Sequence, residues 1–229
     1  MKFSKQFISI LKNFATINSG IYLQAGDLVM TRSGSGATYG ETILPKGEEI
    51  EINVAIYDLN AFLGILSLSG EDSDITTQGD EILIKGSRSV IRWPAADPSA
   101  IVYPKRAIKF PQENVVFNLS GDDYKQIMKI SHSLGANVLV IASENGKVVF
   151  KAYNSDIDKK LEKPLSSFDA AEYDGDKEFK FIINITNMKL LPDDYVVKLW
   201  ASDDKFAAKF EGKQSSYILA VEDDSTHNF

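Results

Sequence analysis

The side chains able to do covalent or metal chemistry are few and scattered. The 229-residue chain has no cysteine and two histidines, His132 and His227, far apart in sequence. That removes thiolate nucleophiles, thiolate metal sites and disulfides from consideration. No nucleophile elbow and no P-loop is present. Gly34-Ser35-Gly36 stops after two glycines and reads as a hairpin tip rather than a phosphate cradle. Asn154-x-Asp156-x-Asp158 imitates the start of a calcium loop. Its sixth position is not glycine, however, and its twelfth is Leu165 where a bidentate Glu is required, so it reads as a solvated acidic loop. Asp58 is better explained as a helix cap than as a catalytic acid. The expectation is a protein that is not an enzyme and holds no metal and no cofactor.

The residues with a pattern are lysines. Lys5, Ser9, Lys12 and Thr16 recur at i, i+4, i+7 and i+11, opposite Phe7 and Leu11. Lys125, Lys129 and His132 repeat the i, i+4, i+7 spacing in the second half, and Lys189 lies on the polar side of a later short helical segment. Acids gather elsewhere, at 71–74, 156–158, 172–178 and 222–224. Two readings fit such stripes: solvated faces of amphipathic helices, or a surface that meets phosphates. Repetition in both halves favours the second.

Helices must position those lysines. Phe7, Ile10, Leu11 and Phe14 follow an i, i+3, i+4, i+7 pattern behind Ser4, a capping residue. Strand-like runs follow at 21–24, 28–32 and 52–56, then a short helix over 59–66 behind Asp58, then strands at 82–85 and 89–93. The second half repeats the order. Ser120 caps a helix with Asp122 and Asp123 in its first turn, and strands follow at 138–142, 147–152 and 179–184. Thr186 is predicted to cap a helix over 187–191, and strands at 196–200, 206–210 and 217–221 close the series. Ser4 with Ser120, Asp58 with Thr186, and Gly86 with Gly212 mark a duplication of one plan. Four of the seven prolines (94, 98, 104, 111) fall between the halves, which predicts an extended connector. The expected layout is an N-terminal domain over 1–93, a proline-rich connector over 94–111 and a C-terminal domain over 112–229. Each domain is α+β, with two helices packed on β-sheets.

Net charge is −7, which by itself argues against a nucleic-acid partner; the clustering of lysines is what reopens that possibility. No apolar run approaches the roughly 20 residues that span a bilayer, so no membrane partner is expected. Lys12 and Asn13 interrupt the first apolar stretch too early for a secretion signal.

With these elements in view, the sequence resembles the processivity clamps of T4-type bacteriophages. The likeness is carried by 11–20 (Leu-Lys-Asn-Phe-Ala-Thr-Ile-Asn-Ser-Gly), by 54–68 around Tyr57-Asp58-Leu59-Asn60, and by Trp93-Pro94-Ala95-Ala96-Asp97-Pro98. Phe181-Ile182-Ile183-Asn184 with Asn187-Met188, the run from Ala207 to Gly212, and Asp224-Ser225-Thr226-His227 extend it over nearly the whole chain. The resemblance implies the DNA-clamp fold and a homotrimer closed head to tail into a pseudo-sixfold ring. Such a ring encircles duplex DNA without sequence specificity and tethers the replicative polymerase and other client proteins. An ATP-driven clamp loader, and possible late-transcription factors, would be further partners, in the cytoplasm of the infected bacterial host. Lys5, Lys12, Lys125, Lys129, Lys189 and His132 are then the DNA-facing candidates. Arg92, Trp93, Leu165 and Phe168 would lie at the subunit interface, and Pro104, Ile108 and Phe110 would line the client groove. The rival is a β-rich structural or interaction protein of a virion, which has no reason to repeat lysine faces on both helices.

Overall fold

Helix α1, Lys5–Ile17, starts where Ser4 adopts an extended conformation and its hydroxyl accepts the Phe7 N–H at 3.2 Å. One stripe of the helix (Phe7, Ile10, Leu11, Phe14, Ile17) is buried, each large side chain contributing about 1.5–3 kcal/mol by leaving water. The protein is described here from a computed structural model covering residues 1–70 and 73–229; Glu71 and Asp72 of the first acidic run lie outside the described residues. The chain divides into two units, Met1–Ile108 and Lys109–Phe229.

In the first unit α1 is followed by β1 (Ile21–Leu23), β2 (Leu28–Arg32), β3 (Thr38–Ile43), β4 (Val54–Ile56) and helix α2 (Leu59–Ser69). Strands β5 (Asp74–Gln78), β6 (Glu81–Lys85) and β7 (Val90–Pro94) complete it. All pairings are antiparallel: β1 with β4, β2 with β3, and the meander β5-β6-β7, in which β7 is an edge strand. Asp58 caps α2 as expected, accepting the Ala61 N–H at 2.9 Å. The start of the proline-rich stretch is fastened to this unit. Ala96 N–H donates to Ala55 C=O at 2.9 Å, and Ile101 and Pro104 are buried.

The second unit runs β8 (Val115–Leu119), helix α3 (Gly121–Ser133), β9 (Val138–Glu144), β10 (Lys147–Tyr153), β11 (Ser166–Glu172) and β12 (Phe179–Asn184). It continues with β13 (Tyr195–Ser202), β14 (Lys205–Glu211), β15 (Ser216–Ala220) and β16 (Thr226–His227). Within it β11-β10-β9-β12-β16 form one antiparallel sheet, with β11 at an edge, and β15-β14-β13-β8 follow one another in a second. Asn145 and Gly146 join β9 to β10 with positive φ (50° and 76°), as a two-residue hairpin turn demands.

The α+β fold is the expected one, but the second helix of the C-terminal half is not. Instead of Thr186 capping a helix over 187–191, Asn184 caps a single 3-10 turn, Ile185–Asn187. Three buried phenols hold the following backbone out of helical geometry. Tyr124 donates to Met188 C=O at 3.0 Å, Tyr195 donates to Leu191 C=O, and Tyr217 accepts the Leu191 N–H at 3.3 Å. A helix would need that N–H for its own i→i−4 bond. Burial pushes all three phenols upward, Tyr217 to about 12, so they remain protonated, with Tyr124 and Tyr195 as the donors in these contacts.

Replacing Tyr124 by Phe leaves Met188 C=O buried without this donor, which costs about 1–3 kcal/mol. The expected outcome is a lower denaturation midpoint with an unchanged slope in urea titration at fixed protein concentration. An unshifted midpoint would remove the phenol from this account.

Candidate nucleic-acid interface

Because the apolar stripe of α1 faces inward, Lys5, Ser9, Lys12 and Thr16 are forced outward, and all four are exposed. The helix has no carboxylate anywhere in Lys5–Ile17. Lys5, Ser9 and Lys12, together with Lys2, also border a cleft of about 880 Å³ whose far side is formed by Leu66 and Ser67 of α2. Glu48 is the one carboxylate among the described residues lining it.

On α3 the buried face is Tyr124, Ile127, Met128 and Ser131, which turns Lys125, Lys129 and His132 to solvent. The Tyr124 bond to Met188 brings the next residue, Lys189, alongside this helix, and Lys189 is exposed. The structure therefore gathers the predicted cations into two groups, Lys5 with Lys12 in one unit and Lys125, Lys129, His132 and Lys189 in the other. The two groups differ electrically. Asp122 lies 3.1 Å from the Lys125 ammonium, and Asp123 shares a reciprocal cap with Ser120. Asp194 accepts the Gly121 N–H at 3.0 Å and meets Lys213 at 3.2 Å. That amide, then the lysine, holds the Asp194 carboxyl below the usual carboxylate range. The spacing of the lysines was legible in the sequence, and so were Asp122 and Asp123. The approach of Asp194, 73 residues away, was not.

The residues expected at a subunit interface fall at two open sheet edges. On β7, Arg92 meets Glu81 at 2.8 Å and Trp93 packs edge-on against Phe62 with ring centroids 5.9 Å apart. Leu165, 43 % exposed, immediately precedes β11, and Phe168 on β11 stands opposite Phe150 of β10. No strand pairs with the outer side of either among the described residues.

The three groove candidates are dispersed. Pro104 is buried and Ile108 is 47 % exposed at the end of the first unit, while Phe110 is half-buried at the start of the second. None of them borders the cleft of about 490 Å³ that does run along this stretch, lined by Arg32, Pro98, Ile101, Val102, Tyr103 and Lys105. Arg32 enters it from β2, a juxtaposition no local pattern announces. The residues of the calcium-loop look-alike are used by turns. Asn154 Oδ1 accepts the Asp156 N–H at 3.0 Å and Asp158 Oδ2 accepts the Lys163 N–H at 2.7 Å.

Comparison with known proteins gives the family. Residues 3–103 match the family described as DNA polymerase processivity factor, and residues 116–223 match gp45 sliding clamp, C terminal. The chain is 46 % identical to the sliding clamp of Escherichia phage RB69 and 44 % identical to that of Enterobacteria phage T4. Each alignment covers 100 % of both chains. Among solved structures, Proliferating Cellular Nuclear Antigen from Entamoeba histolytica superposes with a TM-score of 0.65 at 14 % identity, over 95 % of each chain.

The depressed Asp194 carboxyl sets a sign for acid stability. Its contribution is fully present above the unfolded carboxylate value of about 3.9 and is lost as pH falls through the lower folded value. The stability difference between the parent and Asp194→Asn, followed by urea titration, is therefore constant near neutrality and shrinks as the pH drops below about 4. A difference that stays constant down to the lowest pH would show that the charge is not what matters.

Proposed function

The chain belongs to the sliding-clamp family of DNA polymerase processivity factors, and on that premise we propose that three copies close head to tail around duplex DNA. The observation that supports the ring most directly is that β7 and β11, which hold or adjoin the expected junction residues, both lie at open ends of their sheets. Pairing unlike edges makes a heterologous contact, and a heterologous contact whose rotation closes produces a ring. Arg92 and Trp93 on one edge, with Leu165 and Phe168 on the other, are the side chains at that junction. Arg92 on β7 is ion-paired with Glu81 and Asp169 on β11 with Lys147, so strand pairing and the side chains of Trp93, Leu165 and Phe168, rather than net charge, carry the contact.

Lysines on α1 and α3 meet phosphates from either strand and read no base edges, so binding is independent of sequence. Each chain is −7, so the ring repels DNA over most of its surface. Retention is then topological, which requires an ATP-driven loader to open the ring. Client tails from the polymerase and from transcription factors dock on the outside, with Pro104, Ile108 and Phe110 as groove candidates. The site of action is the cytoplasm of the infected host.

Light scattering over a range of concentrations is the test. The expected mass is about three times the 25.4 kDa chain, and Leu165→Glu shifts it toward the single-chain value by burying a carboxylate where the junction takes an apolar side chain. A single-chain mass for the parent at every concentration would remove the ring. An undisturbed trimer in the variant would move the junction away from β11.

A further inference from the structure

We propose that phosphate contact is made by Lys5 and Lys12 on α1 and by Lys129 with Lys189 in the second unit, and that Lys125 is withheld from DNA by the acidic first turn of α3. This rests on the reading that α1 and α3 face the duplex. A phosphate that approaches Lys125 must also approach Asp122, whose side chain is 95 % exposed, together with Asp123 and Asp194. Asp194 also feels the Lys125 charge directly. Asp122, 3.1 Å from the Lys125 ammonium, lies well inside one Debye length, ~8 Å at physiological salt, so the pull of Lys125 on an anion is offset.

The positive end of a helix can bind an anion, but here it is already occupied. Ser120 Oγ takes the Asp123 N–H and Asp194 takes the Gly121 N–H. Lys129 sits four residues on, about 6 Å further along the axis, on the same exposed side as His132. Helix α1 has no such first turn. It has no acidic residue at all, and Lys12 shares its outward stripe with the Ser9 hydroxyl. The lysine pattern that looks equivalent in the two halves is therefore electrically unequal, and the first turn of α3 acts as a spacer that holds DNA off one part of the ring.

The test is binding of the assembled protein to a short fluorescent duplex, followed by anisotropy across a salt series. Four variants are compared: Lys12→Gln, Lys129→Gln, Lys125→Gln and Asp122→Asn. Light scattering confirms that each is assembled. Lys12→Gln and Lys129→Gln are expected to weaken binding and to flatten the dependence of log K on log salt, by about 0.9 for each phosphate that is no longer neutralised. Lys125→Gln leaves that slope unchanged, and Asp122→Asn tightens binding several-fold, a gain that misfolding cannot mimic. A Lys125→Gln variant that flattens the slope as much as Lys129→Gln, or an Asp122→Asn variant that binds no better than the parent, overturns the assignment while leaving the clamp reading intact. A parent protein whose binding has no salt dependence overturns both.

Discussion

The backbone N–H and C=O groups along the open sides of β7 and β11 are the constraint on which the rest depends. Such groups must be hydrated or paired, because burying one unpaired costs about as much as breaking a hydrogen bond. Proteins that stay single blunt their edges with lysine, proline or an outward bulge. β11 has neither lysine nor proline along Ser-Ser-Phe-Asp-Ala-Ala-Glu, but it does carry a bulge: Ala170 is skipped between the pairs Val148–Ala171 and Val149–Asp169. β7 carries proline only at its last position, Pro94. These devices leave the N-terminal part of β11 and most of β7 with unpaired backbone groups, which is the stretch a second copy would cover in the proposed ring.

In the proposed ring, assembly would multiply charge and turn electrostatics from a local matter into a property of the whole. Three chains each at −7 cannot hold a polyanion by net attraction. Cations must therefore stand where acids are absent, and α1 meets that condition within its own sequence. On α3 the same lysine spacing coexists with carboxylates that serve the helix itself: they cap its amides and favour its dipole. Stability of the helix and affinity for phosphate compete for the same few residues, and at the first turn the helix wins.

Much of this was legible in the sequence because it rests on local rules. Ser4, Asp58 and Ser120 announce helix starts, Asn145-Gly146 announces a hairpin, and the buried stripe of α1 fixes which lysines point outward. Strands β5 and β8 were not read. β5 offers one buried apolar residue, Ile75, among polar neighbours, and β8 follows directly on the proline-rich stretch that reads as connector. The helix expected over 187–191 failed for a non-local reason. Tyr124, Tyr195 and Tyr217 reach it from distant elements, and their phenols replace the helical hydrogen bonds. The cleft joining Arg32 to Lys105, and the approach of Asp194 to Gly121, likewise depend on tertiary placement.

The duplicated plan shows which features each half could change. Ser4 and Ser120 adopt nearly the same backbone angles, φ −66° and −68° with ψ 157° and 151°. The turns after β6 and β14 also match, with Gly86 N–H donating to Ser89 C=O and Gly212 N–H to Ser215 C=O. Neither glycine tolerates a side chain. A Cβ would sit 2.4 Å from the Ser69 carbonyl oxygen at position 86, and 2.9 Å from that of Ser215 at position 212. Crowding of this kind fixes geometry in both halves, whereas exposed helix faces meet no such backbone wall. Surface charge was therefore the property free to diverge, and a fold repeated six times around a ring can present an interior whose charge repeats only three times.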